Sequence, residues 1–180
     1  MRRPRQLQDN AWYHVTARAN RGEMLLDRAE VRMLFLQLLL RCKKKYVFEV
    51  MNFCIMGNHI HLMVRPAPGV SLSEIMQWQL GNFAKAYNKK RGWTGHFWGD
   101  RFHSWIIQGI EALIRTFQYI DENPVKAGLV SNAWEWEHSG LWHDRAGIRT
   151  ILGPRPAWVV PLFPAHGLLA LPFPVERPFR

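Results

Sequence analysis

The run from Asn58 to Val64 carries two imidazoles one residue apart, His59 and His61. After Asn58 it is otherwise apolar, and it reads as a β-strand. Alternation along a strand puts His59 and His61 on one face and Ile60, Leu62 and Val64 on the other. Two imidazoles side by side, with an apolar anchor behind them, make two-thirds of a metal site. Far downstream, Tyr119 and Asn123 lie four apart in a segment of helical pattern, which stacks them on one helix face. A phenol that can act as nucleophile and an amide oxygen that can complete a metal shell would then share a surface. Each residue also has a plainer use. Paired histidines serve as hydrogen-bonded core residues, helix tyrosines pack on sheets, and Asn123 before Pro124 reads equally well as a helix cap.

The elements that must position these groups follow from pattern and punctuation. Trp12 to Arg18 alternates and is rich in aromatic and β-branched residues, which predicts a first strand. Asp27 to Lys45 opens on an acidic cap candidate. It carries Val31, Leu34, Phe35, Leu38 and Leu39 at helical spacing and ends in a basic run suited to the helix dipole. Val47 to Met56 reads as a strand, joined through the turn dipeptide Gly57-Asn58 to the histidine strand as a hairpin. Ser71 to Glu74 is a capping-box pattern that starts a helix running to about Lys90. Phe102 to Gln108 reads as a strand. Ile110 to Glu122 reads as a helix, ended near Asn123 by the effect of Pro124 on the preceding residue. The fold class is therefore α+β, a ferredoxin-like β-α-β-β-α-β antiparallel sheet with an additional C-terminal helix carrying the tyrosine. That helix is expected to cover the sheet face to which His59 and His61 point.

The chain has 180 residues, a size that suits one domain with a real core, and 48% of them are hydrophobic. The expected division is a domain over 1–150 and an irregular tail over 151–180, since seven of the eleven prolines lie from Pro154 onward. A formal charge of +10 points to a polyanionic partner, nucleic acid first. Cys42 and Cys54 match no metal or redox spacing, which favours a reduced setting. Neither a signal peptide nor a membrane span is read from the sequence, so a cytoplasmic location and no membrane partner are expected. From Lys85 to Arg101, the cations Lys85, Lys89, Lys90, Arg91 and Arg101 interleave with the rings of Tyr87 and Trp93. Cations can track phosphates and exposed rings can stack on unpaired bases, so these seven residues are the DNA-binding candidates. Arg2, Arg3, Arg5, Arg18 and Arg21 form a second basic group that could clamp a backbone or simply be solvated. His14, His96 and His103 read as packing or DNA-contact residues.

Several ordered motifs together resemble the single-tyrosine HUH transposases, and within them the branch associated with repetitive extragenic palindromes. The matching pieces are Trp12 to Thr16, Met56 to Val64, Ser71 to Ser73, Tyr87 to Phe102 and Tyr119 to Gly128. The resemblance implies the ferredoxin-like fold and metal-dependent cleavage and rejoining of single-stranded DNA at hairpins. It implies a divalent metal, Mg or Mn, bound by His59 and His61, with Asn123 where the family places a third polar ligand. It further implies that Tyr119 is the catalytic nucleophile, forming a 5′-phosphotyrosine intermediate. Tyr87 is the rival tyrosine, but Arg91 occupies the position four residues on, where a metal site would need a ligand, so Tyr87 reads as a DNA-binding or packing residue. Glu122 is a lesser candidate for ligand or base. The partners implied are single-stranded or hairpin DNA, with pairing of two copies as a homodimer left open. The alternative is a catalytically silent or domesticated nucleic-acid-binding protein of the same fold, since such sheets bind single strands without chemistry.

Overall fold

The computed structural model describes residues 8–153. The expectations for Arg2, Arg3, Arg5 and for the Pro-rich segment from 154 lie outside the described residues. The elements run β1 (Trp12–Arg18), α1 (Ala29–Lys45), β2 (Phe48–Ile55), β3 (His59–Pro66), α2 (Leu72–Arg91), β4 (His103–Ile107), α3 (Gly109–Lys126) and α4 (Gly140–Arg145). The four strands form one antiparallel sheet in the order β2-β3-β1-β4. This is the expected β-α-β-β-α-β arrangement followed by the extra helix, α3, to which a short α4 is added.

Alternation divides the sheet into two environments. Tyr13, Val15, Ala17, Ile60, Leu62 and Val64 join Phe35, Leu39, Ile75 and Phe83 of α1 and α2 in the larger core. Met51, Cys54, Met56 and Met63 face α3 on the other side, where Leu113, Phe117 and Ile120 recur at helical spacing and close a second core. Phe117 is 1% exposed, and burying such a side chain contributes about 1.5–3 kcal/mol. Ile151 and Leu152 are buried in the larger core, so the described chain packs into the domain to its end.

Two helix boundaries differ from expectation. Asp27 does not cap α1, whose first turn follows Arg28 with no side-chain cap. Nor does Pro124 end α3. The proline lies inside the helix, and the stop comes at Gly128. There φ is +67°, Gly128 N–H donates to the Val125 carbonyl, and Leu129 N–H donates to the Pro124 carbonyl. That pairing is the Schellman closure, which needs a left-handed residue that glycine adopts without strain. A proline so near the end forfeits only one bond of the helix ladder, so the glycine sets the boundary. The cap at the start of α2 is as expected, with Ser71 Oγ accepting from Glu74 N–H. No described helix is long and apolar enough to cross a membrane.

Candidate active site

β3 presents His59 and His61 toward α3, and β1 lies beside it with Thr16 opposite His61. His14 therefore sits diagonally from His61 on the same face, within reach of a long side chain. Its Nε2 lies 2.9 Å from His61 Nδ1, and the two rings stack with centroids 5.2 Å apart. Tyr119 comes down from α3 onto this pair. Its ring meets His61 edge-on at 5.4 Å and His14 at 5.9 Å. The rings of His59 and His61 are 4.9 Å apart.

Asn123, one turn after Tyr119, donates its amide N–H to the Tyr119 carbonyl at 2.6 Å. Only the NH2 of an amide can face a carbonyl, so this bond leaves Oδ1 on the side of His59 and His61, whose protonated forms it favours. Asn58 does the same for His59. Its Nδ2 donates to the Gly22 carbonyl at 3.0 Å, which turns Oδ1 to His59 Nδ1 at 2.6 Å. His59 must then carry its proton on Nδ1 and keep a lone pair on Nε2.

Burial holds all three imidazoles neutral at pH 7. It pushes His14 down to about 4. His59 also falls to about 4, chiefly by burial and secondly by the positive charge of Arg18, with Asn123 pulling the other way. His61 is held well below its ordinary value by burial, then by His14 and His59. Neutral imidazole is the form that binds a metal.

The residues present fit a metal on these grounds. Nε2 of His61 is buried and makes no hydrogen bond within geometric limits among the described residues, Nε2 of His59 is left as a lone pair, and the Asn123 oxygen lies on their side. Among the described residues no three His, Cys, Asp or Glu side chains gather as a metal-binding group, so a third protein ligand would have to be of another type, such as the Asn123 amide.

A cleft of about 710 Å³ opens over this centre, lined by His14, His59, His61 and Tyr119 together with Arg18, Arg21, Arg101, His103 and Trp105. Its arginines come from two segments that lock together. Asn20 N–H donates to the Phe97 carbonyl and Gly99 N–H to the Arg18 carbonyl, which brings Arg101 to the end of β1. Arg21 holds a left-handed backbone with φ of 53°, unusual for a residue with a side chain. At Gly22 a Cβ would come within 3.2 Å of the Arg18 guanidinium, so glycine gives that side chain its room.

Of the sequence candidates, His59, His61, Tyr119 and Asn123 are thus brought together, and Arg101 lines the same cleft. Lys85, Lys89, Lys90, Arg91 and Trp93 are exposed along α2 and the turn after it and do not line the cleft. For Tyr87 the packing reading holds and the DNA-binding one is corrected. The residue is 4% exposed among Phe83, Trp93 and Phe97, because its helix face turns into the larger core, so its ring is closed to a base. The cap reading of Asn123 is also corrected, since α3 continues past it. Glu122 is paired with Lys126 at 2.6 Å. His103 lines the cleft and stacks on Trp105, while His96 is exposed elsewhere. His14 joins the site although its sequence context marks it only for packing or DNA contact, and Arg18 and Arg21 resolve from a diffuse basic group into cleft residues. Cys42 and Cys54 are free and buried.

The signature of the family described as "Transposase IS200 like" matches residues 7–123. A Haemophilus influenzae protein named "Putative REP-associated tyrosine transposase" is 28% identical over 109 residues, 55% of this chain and 62% of that relative. The chain thus matches less than two-thirds of the relative's length. Among solved structures, one described as a REP-associated tyrosine transposase bound to a REP hairpin superposes with a TM-score of 0.69 at 21% identity. That alignment covers 86% of this chain and 93% of the other, and shows that the two share a fold.

Proposed function

The chain belongs to the IS200-like transposase family, and from that premise we propose that it cleaves and rejoins single-stranded DNA at hairpin sites through a phosphotyrosine on Tyr119. The observation that carries this reading is the meeting of Tyr119 with the His59 and His61 imidazoles in one arginine-lined cleft. The hairpin in the solved relative supports the choice of DNA.

Each residue has a task that its surroundings suit. The Tyr119 oxygen attacks phosphorus, losing its proton as the new P–O bond forms. The bond from phosphorus to the 3′ oxygen breaks, and that oxygen takes up a proton to leave as a free 3′ hydroxyl. The 5′ side stays on the enzyme as a tyrosine ester. Because the ester keeps the bond energy, reversal by a 3′ hydroxyl rejoins strands without a nucleotide cofactor. His59, His61 and the Asn123 oxygen are the groups that would hold a divalent ion, magnesium or manganese. When bound, such an ion neutralises charge on the scissile phosphate and helps to orient it. Arg18, Arg21 and Arg101 supply fixed positive charge in the same cleft, so a polyanionic strand is drawn there.

The test is to incubate the protein with end-labelled hairpin DNA and manganese, then denature it. A covalent adduct is expected from the unmodified protein and from Tyr87→Phe, and none from Tyr119→Phe, which keeps the ring and its packing. Loss of the adduct in Tyr87→Phe with retention in Tyr119→Phe would overturn the assignment. No adduct on any hairpin would favour a silent binder.

A further inference from the structure

We infer that His14 is a positioning residue for the metal centre: its Nε2 accepts the Nδ1–H of His61 and so fixes the tautomer that leaves the His61 Nε2 lone pair beside that of His59. This role rests on the metal reading of the site and falls to a residue outside the ligand set.

A neutral imidazole has one N–H and one lone pair, so the position of each proton decides which nitrogen can bind a cation. For His59 the Asn58 oxygen settles which nitrogen is which. For His61 the group on Nδ1, among the described residues, is the second imidazole, 2.9 Å away and buried. One proton serves that contact. If His14 donated it, His61 would carry its own proton on Nε2, on the side of the Asn123 oxygen. A nitrogen that carries its proton there could not ligate a cation. If His61 donates, Nε2 is an open lone pair of the kind the neighbouring His59 presents. His14 is itself buried, packed between Trp105 of β4 and Tyr119 of α3, so the accepting ring is held in place. A ring stacked on His61 at 21° between planes also restrains how that ring can turn. Partners on the outer nitrogen of ligating histidines commonly change metal affinity by roughly 10- to 100-fold.

The test uses the full chain with 15N-labelled histidine and Co(II) as the metal probe. In the metal-free unmodified protein, long-range 1H–15N spectra are expected to show His61 protonated on Nδ1. His14→Leu, which keeps an apolar side chain in a buried place, should move that proton to Nε2. It should also weaken Co(II) binding by roughly 10- to 100-fold, measured by titration of the visible spectrum. His14→Gln offers an amide oxygen as acceptor and should restore both the tautomer and most of the affinity. A merely structural role would not be rescued this way. A His61 protonated on Nε2 in the unmodified protein would overturn the inference without any variant. So would a folded His14→Leu with unchanged tautomer and affinity. Absence of Co(II) binding in the unmodified protein would instead remove the metal reading, while the metal-free spectrum still decides whether His14 sets the His61 tautomer.

Discussion

Asn52 of β2 donates its side-chain amide to the buried Asp121 carboxylate of α3 at 2.8 Å, two residues beyond Tyr119. The amide sits at a β-bulge, where pairing with β3 shifts between Val50 and Asn52, and its oxygen accepts from Phe53 N–H. It also reaches the Phe117 carbonyl at 3.4 Å. The bulge thus aims a polar group out of the sheet and ties the tyrosine helix to it.

Asn52→Ala is expected to lower stability by about 1–3 kcal/mol, since it withdraws a donor from a buried carboxylate. Adduct formation by the fraction still folded should slow as well, because α3 is freer to shift over His59 and His61. Denaturant melts and single-turnover labelling measure the two effects. Unchanged labelling in a destabilised variant would show that α3 is held in place by its apolar stripe alone.

His59 and His61 are legible in the chain because alternation is a local property, and Tyr119 with Asn123 because helical spacing is local too. The second helix layer over the histidine face also follows from element order. What local pattern does not give is register. His14 becomes a site residue only because β1 pairs with β3 so that Thr16 faces His61, and nothing within Trp12 to Arg18 encodes that partner. Arg18 and Arg21 reach the cleft through a short turn with a left-handed Arg21, which no composition rule anticipates. The end of α3 is misplaced when Pro124 is weighed above Gly128, although the glycine signal is present in the chain. Tyr87 misleads for a different reason. Its cationic neighbours are real and exposed, but the burial of one helix position depends on what packs across from it.

Tyr87→Ala is expected to cost about 3–5 kcal/mol, the range for truncating a large buried ring, because it opens a void beside Phe83 and Phe97. Tyr87→Phe keeps that packing and should leave hairpin affinity near that of the unmodified protein. Thermal melts and hairpin titrations check this. A large loss of affinity in a stable Tyr87→Phe would mean that the hydroxyl reaches DNA after all.

The cleft arginines should carry more of the electrostatic attraction than the lysines of α2. Removing the cation that neutralises one phosphate lowers the slope of log K against log salt by roughly 0.7–0.9. Arg18→Ala with Arg101→Ala is therefore expected to flatten the slope by about one to two. Lys89→Ala with Lys90→Ala, exposed on the helix across the sheet, should flatten it by less. Binding of a hairpin oligonucleotide at several salt concentrations decides between them, and the reverse order would place the strand along α2.

Acid should destabilise the fold in a window set by its buried histidines. His14, His59 and His138 are each held at about 4, chiefly by burial. His138 is pushed down further by the charges of Arg32 and His143. An unfolded histidine takes up its proton near 6.5, so between that value and about 4 the unfolded chain binds more protons than the folded one. Stability is then fully present above pH 6.5 and falls as the pH drops toward 4, each such group contributing up to about 1.4 kcal/mol per pH unit. Denaturant melts across this range should show the decline. His138→Phe, placed away from the cleft, should make it shallower while leaving the adduct chemistry intact. A stability that stays flat from pH 7 to 4.5 would mean that these imidazoles become protonated without unfolding the protein, and that water reaches them more easily than their packing against Trp136 and Tyr119 implies.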